Sequence, residues 1–347
     1  MDKRHRNFVC RGGINSRSSY CLFDEVCSFD NLLSAWKEFR RGKRRKRDVR
    51  EFEFSLEDNL FRLYCELRAK TYQHSKYTPF YITDPKLRHI HKACVRDRIV
   101  HQALFRVLYL IFDRDFIFDS YSCRIGKGTH RAVRRLKQFC NKISGNDSEN
   151  VFALKCDIKK YFDSINHCIL LEIIKRRVKC PDTMKLIHAI LSSFGEEEGK
   201  GLPLGNVTSQ LFANIYMNEF DQFAKHILKA RYYIRYCDDF IILTDNKEEI
   251  QRLIQEIHRF LQKRLKLLLH EDKIIVRSFR QGIDFLGYIV RPHCITLRTK
   301  TKKRILSKLK NDNKASYFGV LRHCNGYKVY GDMLGLLEKQ SKTCYKV

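Results

Sequence analysis

Three aspartates carry the chemistry open to this sequence. Asp157 follows "VFALKC", and Asp238 and Asp239 stand side by side in "YYIRYCDDFIIL" (232–243), 81 positions later (238 − 157). The first segment alternates like a strand, with Phe152, Leu154, Cys156 and Ile158 on one face and Lys155 and Asp157 on the other. The second reads as a buried hairpin that two acids interrupt. Unpaired carboxylates add nothing to the stability of such a segment, and two adjacent ones repel. A hard cation offsets them: Mg2+ is held by one or two carboxylates plus substrate phosphates. Two such ions about 3.5–4 Å apart would activate a 3′-hydroxyl and stabilise a leaving pyrophosphate. The plainer alternative is a hairpin turn, where Asp is common.

The rest of the chain carries the opposite charge. In 347 residues, 68 Lys and Arg stand against 39 Asp and Glu, a formal net charge of +29. That excess points to a polyanion, with nucleic acid ahead of an anionic membrane surface. A hydrophobic content of 44% with 12% aromatics excludes a disordered chain, and the length suits two or three lobes. No run approaches ~18 apolar residues, and the start "MDKRHRNFVCRGG" has no apolar leader, so neither a spanning helix nor secretion is expected. The 14 Cys include no CxxC pair, and Cys10, Cys21 and Cys27 fit no familiar zinc spacing. Reduced thiols, many of them buried, are the expectation; a zinc site or disulfide set is the alternative.

Elements must position these acids. Residues 1–50 read as a basic extension, whose "RRGKRRKRDVR" (40–50) holds eight basic residues and one acid. It is either a solvated charge run or a nucleic-acid arm using Arg44, Arg45, Lys46 and Arg47. Ser55, with Asp58 three residues on, predicts a helix start, and Leu56, Leu60, Phe61, Leu63, Tyr64 and Leu67 form its apolar stripe. Short strands around a Pro turn are expected over 78–90, then a helix in "HKACVRDRIVHQALFRVLYLIF". "GLPLG" (201–205) is a loop that leads into a helix from about Thr208, with Leu211, Phe212, Ile215 and Phe220 inward. Residues 247–265 are amphipathic at helical spacing, and further strands are expected at 267–269, 274–276 and 285–290. From 291 on, 14 Lys and Arg face 3 acids. No internal repeat is visible.

With these pieces in order, the sequence resembles a reverse transcriptase over roughly 78–290. "YCDD" (236–239) is similar to the family's Tyr-x-Asp-Asp hairpin, and "CDIKKYFDSINH" (156–167) to its first metal-binding motif. The resemblance implies metal ligation by Asp157, Ile158, Asp238 and Asp239, with two Mg2+ ions and Mn2+ as their substitute. Phe162, otherwise a core aromatic, matches the residue that packs under the deoxyribose and excludes ribonucleotides. "GLPLGNVTSQLFANIYMNEFD" (201–221) resembles the loop and helix that support the templating base and incoming nucleotide, through Leu204, Gly205 and Gln210. "HEDK" (270–273) resembles the segment whose lysine protonates pyrophosphate; Lys273 is that lysine or a surface one. "FLGY" (285–288) resembles the primer grip, implying Phe285, Leu286 and Gly287. "KACVRDRIVHQAL" and "DSYSCRIGKGTHRAV" resemble the finger motifs, with Arg124, Lys127 and Arg131 as phosphate contacts. "GKGT" is no P-loop, because position 121 is Tyr.

Leu204-Gly205 and Ser209-Gln210 replace the family's usual Gln-Gly and Ser-Pro. This departure, with the opening "KRHRN" and "NVTSQLFANIY", resembles the enzymes of diversity-generating retroelements, which misincorporate opposite template adenines. That group implies a template RNA, an RNA/cDNA duplex, dNTPs and a small basic oligomeric accessory protein, in the cytoplasm of a prokaryotic cell. A phage-defence reverse transcriptase copying a dedicated noncoding RNA is the alternative, and a noncatalytic RNA-binding protein on a polymerase scaffold a further one. Retron motifs are missing, and the length argues against a group II intron protein with its maturase domain. The expected fold is α+β, a right-hand polymerase. Fingers occupy 51–150 and 168–206, an RRM-like antiparallel palm 151–167 and 207–290, and a basic helical thumb 291–347, where Lys302, Lys303 and Arg304 grip nucleic acid.

Overall fold

The computed structural model describes residues 21–84, 87–145, 150–195 and 199–344. Cys10, the opening "KRHRN" and the Pro turn at 85 lie outside the described residues.

Four helices come first: α1 (Leu22–Cys27), α2 (Phe29–Phe39), α3 (Arg47–Phe54) and α4 (Leu56–Arg68). Ser28 caps α2, its hydroxyl accepting the Asn31 N–H at 3.2 Å. Leu32, Trp36 and Phe39 of α2 are buried in the main core, as is Val49 of α3. Residues 22–50 are therefore no extension, because their apolar stripe packs inward while the charge stays outside. Within 40–50 the exposed cations surround Asp48, which pairs with Lys92 and Arg98 at 2.7 Å each. Ser55 stands at the start of α4 but makes no capping bond, and Phe61 points to solvent.

Next come the hairpin β1 (Thr78–Ile82) and β2 (Arg88–Lys92), then α5 (Val95–Phe112) and α6 (Thr129–Ile143). β3 (Phe152–Cys156) is followed by α7 (Tyr161–Ser164), α8 (His167–Lys175), α9 (Pro181–Ser192) and α10 (Val207–Gln222). β4 (Tyr232–Tyr236), β5 (Asp239–Thr244), α11 (Glu249–Leu265) and β6 (Ile275–Ser278) complete a four-stranded antiparallel sheet in the order β4-β5-β3-β6. The expected strand at 267–269 is only an isolated bridge between Leu269 and Ile158.

Side chains along this sheet alternate between two cores. Leu154, Cys156, Tyr233, Phe240 and Ile242 join the main core, with residues of α10 and α11. Ala153, Ile234, Ile241 and Leu243 join a second core with α6 and the meander β7 (Ile283–Phe285), β8 (Tyr288–Val290) and β9 (Ile295–Leu297). Cover on both faces explains why 232–243 is apolar at almost every position. β9 also moves the start of the expected helical thumb: helix begins only with α12 (Thr299–Lys308), then α13 (Lys314–Leu321) and α14 (Tyr327–Cys344). These three enclose a small core of their own around Ile305, Leu321 and Met333. Among the described residues no helix is long and apolar enough to cross a membrane.

Candidate active site

Strand register brings the distant acids together. Cys156 pairs with Phe240, so one step further along both strands sets Asp157 opposite Asp239. Tyr236 pairs with Asp239, which leaves Cys237 and Asp238 as a two-residue turn. Cys237 has φ +61°, the sign that the first residue of a type II′ hairpin turn adopts and that normally favours Gly.

Arg235 holds this turn from inside the protein. Its guanidinium donates to Asp221 Oδ1 and Oδ2 at 2.7 and 2.6 Å, to Asn214 Oδ1 at 3.2 Å and to Ser120 Oγ at 3.1 Å. It also donates to the Cys237 carbonyl at 2.9 Å, so the fork reaches the turn itself. Tyr233 adds a hydroxyl bond to Asp221 at 2.6 Å. Arg235 is 1% exposed and Asp221 fully buried, so each is the other's counter-ion in a dry site. The attraction of Asp221 outweighs burial and holds the guanidinium charged.

Three carboxylates meet two ammonium groups at the end of the sheet. Lys273 Nζ lies 3.1 Å from Asp157 Oδ2, and Lys155 Nζ 3.2 Å from Asp239 Oδ2. Burial pushes the carboxyl of Asp239 up to about 6, with Lys155 opposing and the other two aspartates adding to the rise. Burial and the neighbouring Asp157 raise Asp238 as well. Asp239 Oδ1 is buried without a hydrogen-bond partner. Among the described residues no three His, Cys, Asp or Glu side chains already stand as a chelating set. The donor chemistry nonetheless suits a hard divalent cation: negative charge exceeds positive by one, and one carboxylate oxygen is orphaned. The bridge between Ile158 and Leu269 uses the N–H groups of Lys159 and His270, so the Ile158 carbonyl takes neither bond.

The other expected residues fall around this centre in different ways. Phe162 is half-buried, edge-on to the buried Tyr161, and its carbonyl accepts the Leu202 N–H at 2.8 Å, which ties it to the 201–205 loop. Leu204 is half-buried, its carbonyl accepting the His91 N–H at 3.2 Å; Gly205 and Gln210 are exposed. Gly205 has φ +107°, which L side chains rarely adopt, and a Cβ there would sit 3.0 Å from Ile90 Cγ2, so the Ile90 methyl would have to give way. Leu286 and Gly287 form the β7–β8 turn at φ +52° and +87°, and Phe285 is buried beneath it. Lys155 links this hairpin to the acids by donating to the Asp284 carbonyl at 3.0 Å.

Arg124 is committed elsewhere. It donates to Asp113 Oδ1 and to the Ile117 carbonyl at 2.7 Å each, and to the Ser120 carbonyl at 3.1 Å, so it clamps its own loop. Lys127 donates to the Phe118 carbonyl at 2.8 Å and covers the Phe118 ring, while Arg131 bonds the Gly126 carbonyl. Arg44, Arg45, Lys46, Arg47 and Lys303 are exposed, and Lys302 and Arg304 partly so. Lys155 and Arg235 are the residues that sequence reasoning left without a role. Each had a signal: Lys155 shares the face of Asp157, and Arg235 is a lone cation inside an apolar strand.

An antiparallel platform with carboxylates at its hairpin end, followed by a separate helical lobe, is the architecture of a right-hand nucleic-acid polymerase. Solved structures agree in fold: telomerase from Candida albicans in complex with a TWJ fragment of telomeric RNA superposes with a TM-score of 0.54 at 13% identity, over 80% of this chain and 57% of that one. Apo telomerase from Candida tropicalis gives 0.52 at 15% identity, over 76% and 53%. Residues 83–290 match the family described as "Reverse transcriptase (RNA-dependent DNA polymerase)", and the chain belongs to that family. Protein YkfC of Escherichia coli K12 is 27% identical over 266 residues, 64% of this chain and 68% of that protein. The group II intron-encoded protein LtrA of Lactococcus lactis subsp. cremoris is 24% identical over 325 residues, 72% of this chain but 53% of its own length. The chain thus spans about half of LtrA. Length alone does not separate it from the intron-encoded group.

Proposed function

We propose that this chain extends a primer 3′-end with deoxynucleotides along an RNA template. The observation that carries this reading is the convergence of Asp157, Asp238 and Asp239 at one sheet end, with an orphaned carboxylate oxygen on Asp239. Those three, with the Ile158 carbonyl, would hold divalent cations, Mg2+ first and Mn2+ as substitute, which when bound supply Lewis acidity for nucleotidyl transfer. Lys273 stands against Asp157, placed to hold a proton for the departing pyrophosphate. Phe162 shapes the sugar side of the nucleotide site; Leu204, Gly205 and Gln210 support the base pair; Phe285, Leu286 and Gly287 hold the primer end. Lys127 and Arg131, released from their loop carbonyls, meet phosphates. Fingers are assigned to 51–150 and 168–206, joined by residues 22–50 because α2 packs on α5. The palm takes 151–167 and 207–290 together with β9, and the thumb the helices that follow.

Primer extension on an RNA template with Mg2+ tests this. Asp238→Ala should abolish it, since losing several kcal/mol of transition-state stabilisation means about a thousandfold or more. A wild-type protein that stays inactive with its RNA and any accessory protein would sink the reading.

The finer reading is the error-prone enzyme of a diversity-generating retroelement, supported by Leu204 and Gln210 at positions where the family usually has Gln and Pro. An aliphatic side chain at 204 offers template and nucleotide no hydrogen bond, so a poor pair is penalised less. Leu204→Gln should lower misincorporation opposite template adenine, read by sequencing the cDNA; an unchanged error spectrum rejects the reading.

A further inference from the structure

Lys155 lies in the middle of the sheet, where strand packing alone gives an ammonium no reason to be. It stands opposite Ile241 on β5 and Ile275 on β6, and Ala153, two residues before it on the same face, is buried in the second core. Its side chain is only 18% exposed. A charge placed there costs stability unless it is paired. Asp239 stands two residues before Ile241, on the same face and diagonal to Lys155, within reach of a long side chain.

Two acceptors hold the ammonium. Nζ lies 3.2 Å from Asp239 Oδ2 and donates to the Asp284 carbonyl at 3.0 Å. Asp239 belongs to β5 and Asp284 to β7, which lie in different sheets. The contacts continue beyond Asp284. Its Oδ2 accepts from the Arg298 guanidinium at 3.1 Å, and the Arg298 backbone N–H donates to the Gly287 carbonyl at 3.0 Å. Arg298 is the N-cap of α12. One ammonium thus joins a carboxylate of the site to the β7–β8 hairpin, and the hairpin is fastened in turn to α12. With Oδ2 of Asp239 on Lys155, Oδ1 is the oxygen left buried without a partner.

We propose that Lys155 is a positioning residue: a spacer between Asp239 and the β7–β8 hairpin, and a resident charge with which a divalent cation competes for Asp239. This rests on the reading above, in which Asp239 holds a cation and Leu286 and Gly287 hold the primer end. The spacer fixes where a primer 3′-end lies relative to the carboxylates, and a displacement of about 1 Å there costs about a hundredfold in rate. The charge acts on the cation instead, because an ammonium beside Asp239 repels it. Loss of Lys155 should therefore help metal binding and harm turnover, whereas loss of a merely structural lysine would weaken both.

The test uses the full chain without primer or nucleotide, with Mn2+ binding read from the EPR signal of the free ion and restricted to the ions that Asp239→Ala abolishes. Lys155→Met keeps the apolar stem and should bind those ions about tenfold more tightly. In primer extension the same variant should lose about ten- to a hundredfold in kcat. Lys155→Arg keeps the paired charge and changes the spacing, so it tests the spacer even if the methionine variant fails to fold. Its Mn2+ affinity should stay within about twofold of wild type while kcat still falls. Mn2+ binding by Lys155→Met no tighter than wild type, or a wild-type kcat in either variant, overturns the proposal and leaves the reading of the acids standing. Mn2+ binding that Asp239→Ala does not change overturns that reading, and the proposal with it.

Discussion

A single residue can hold a protonation state against the solvent, and His101 does so beside the start of α10. It lies on α5, 1% exposed, with Nδ1 2.6 Å from Thr208 Oγ1 and Nε2 3.0 Å from His74 Nε2. His74 Nδ1 is 2.6 Å from the Ser75 carbonyl and so must donate there. One proton lies between the two facing Nε2 atoms, and His101 is thus held between Thr208 on one side and His74 on the other. Asp97 faces the same pocket, 3.7 Å from His74, with Arg96 and Arg98 on the same helix. Burial, with His74 adding, pushes His101 down to about 3. The unfolded chain takes up that proton at about 6.5. The neutral histidine's contribution to stability is therefore complete above that value and lost as pH falls toward 3. His101→Gln should flatten this loss; urea melts at pH 7 and pH 4 should show a smaller drop for the variant than for wild type. Equal drops would remove His101 as the cause. None of this was legible in the sequence. His74 sits in an irregular segment, and Thr208 is 107 positions from His101.

Elements were more legible than contacts. Apolar spacing located α5, α10 and α11 within a few residues, and alternation located β3, because those patterns report which face is buried. Residues 22–50 were misjudged for the opposite reason: eight cations in 40–50 dominate a composition reading, while the short helices α1 and α2 show too few turns for periodicity to stand out. β9 was missed because three half-buried residues carry little alternation. The acids of the hairpin were visible, but what holds them was not. Arg235 joins β4, α10 and the loop at Ser120, so its value lies in tertiary contacts. Asp221→Ala leaves that guanidinium buried and unpaired, and should cost about 3–5 kcal/mol in chemical denaturation. Replacing both partners, as Asp221→Leu with Arg235→Met, should restore most of that stability. It should not restore polymerisation, because the Cys237 carbonyl then loses its donor. A double variant as unstable as the single one contradicts this account.

For the molecule as a whole, a net charge of +29 with acids gathered at one sheet end implies binding through phosphates. Lys302, Lys303 and Arg304 on α12 are the thumb positions proposed for that grip. Changing all three to Ala should lower the slope of log affinity against log salt for an RNA/DNA duplex by about 3, with template sequence making little difference. An unchanged slope places the grip elsewhere. One further property follows from the Arg235 fork. Its bonds to the Cys237 carbonyl, Asn214, Asp221 and Ser120 bind the Cys237–Asp238 turn to the centre of the fold. The turn has no loose folded alternative to melt into, since releasing it means exposing a buried ion pair. Heat inactivation and heat unfolding should therefore trace one curve, and the enzyme should fail abruptly on warming, with no range in which an intact protein has merely grown idle.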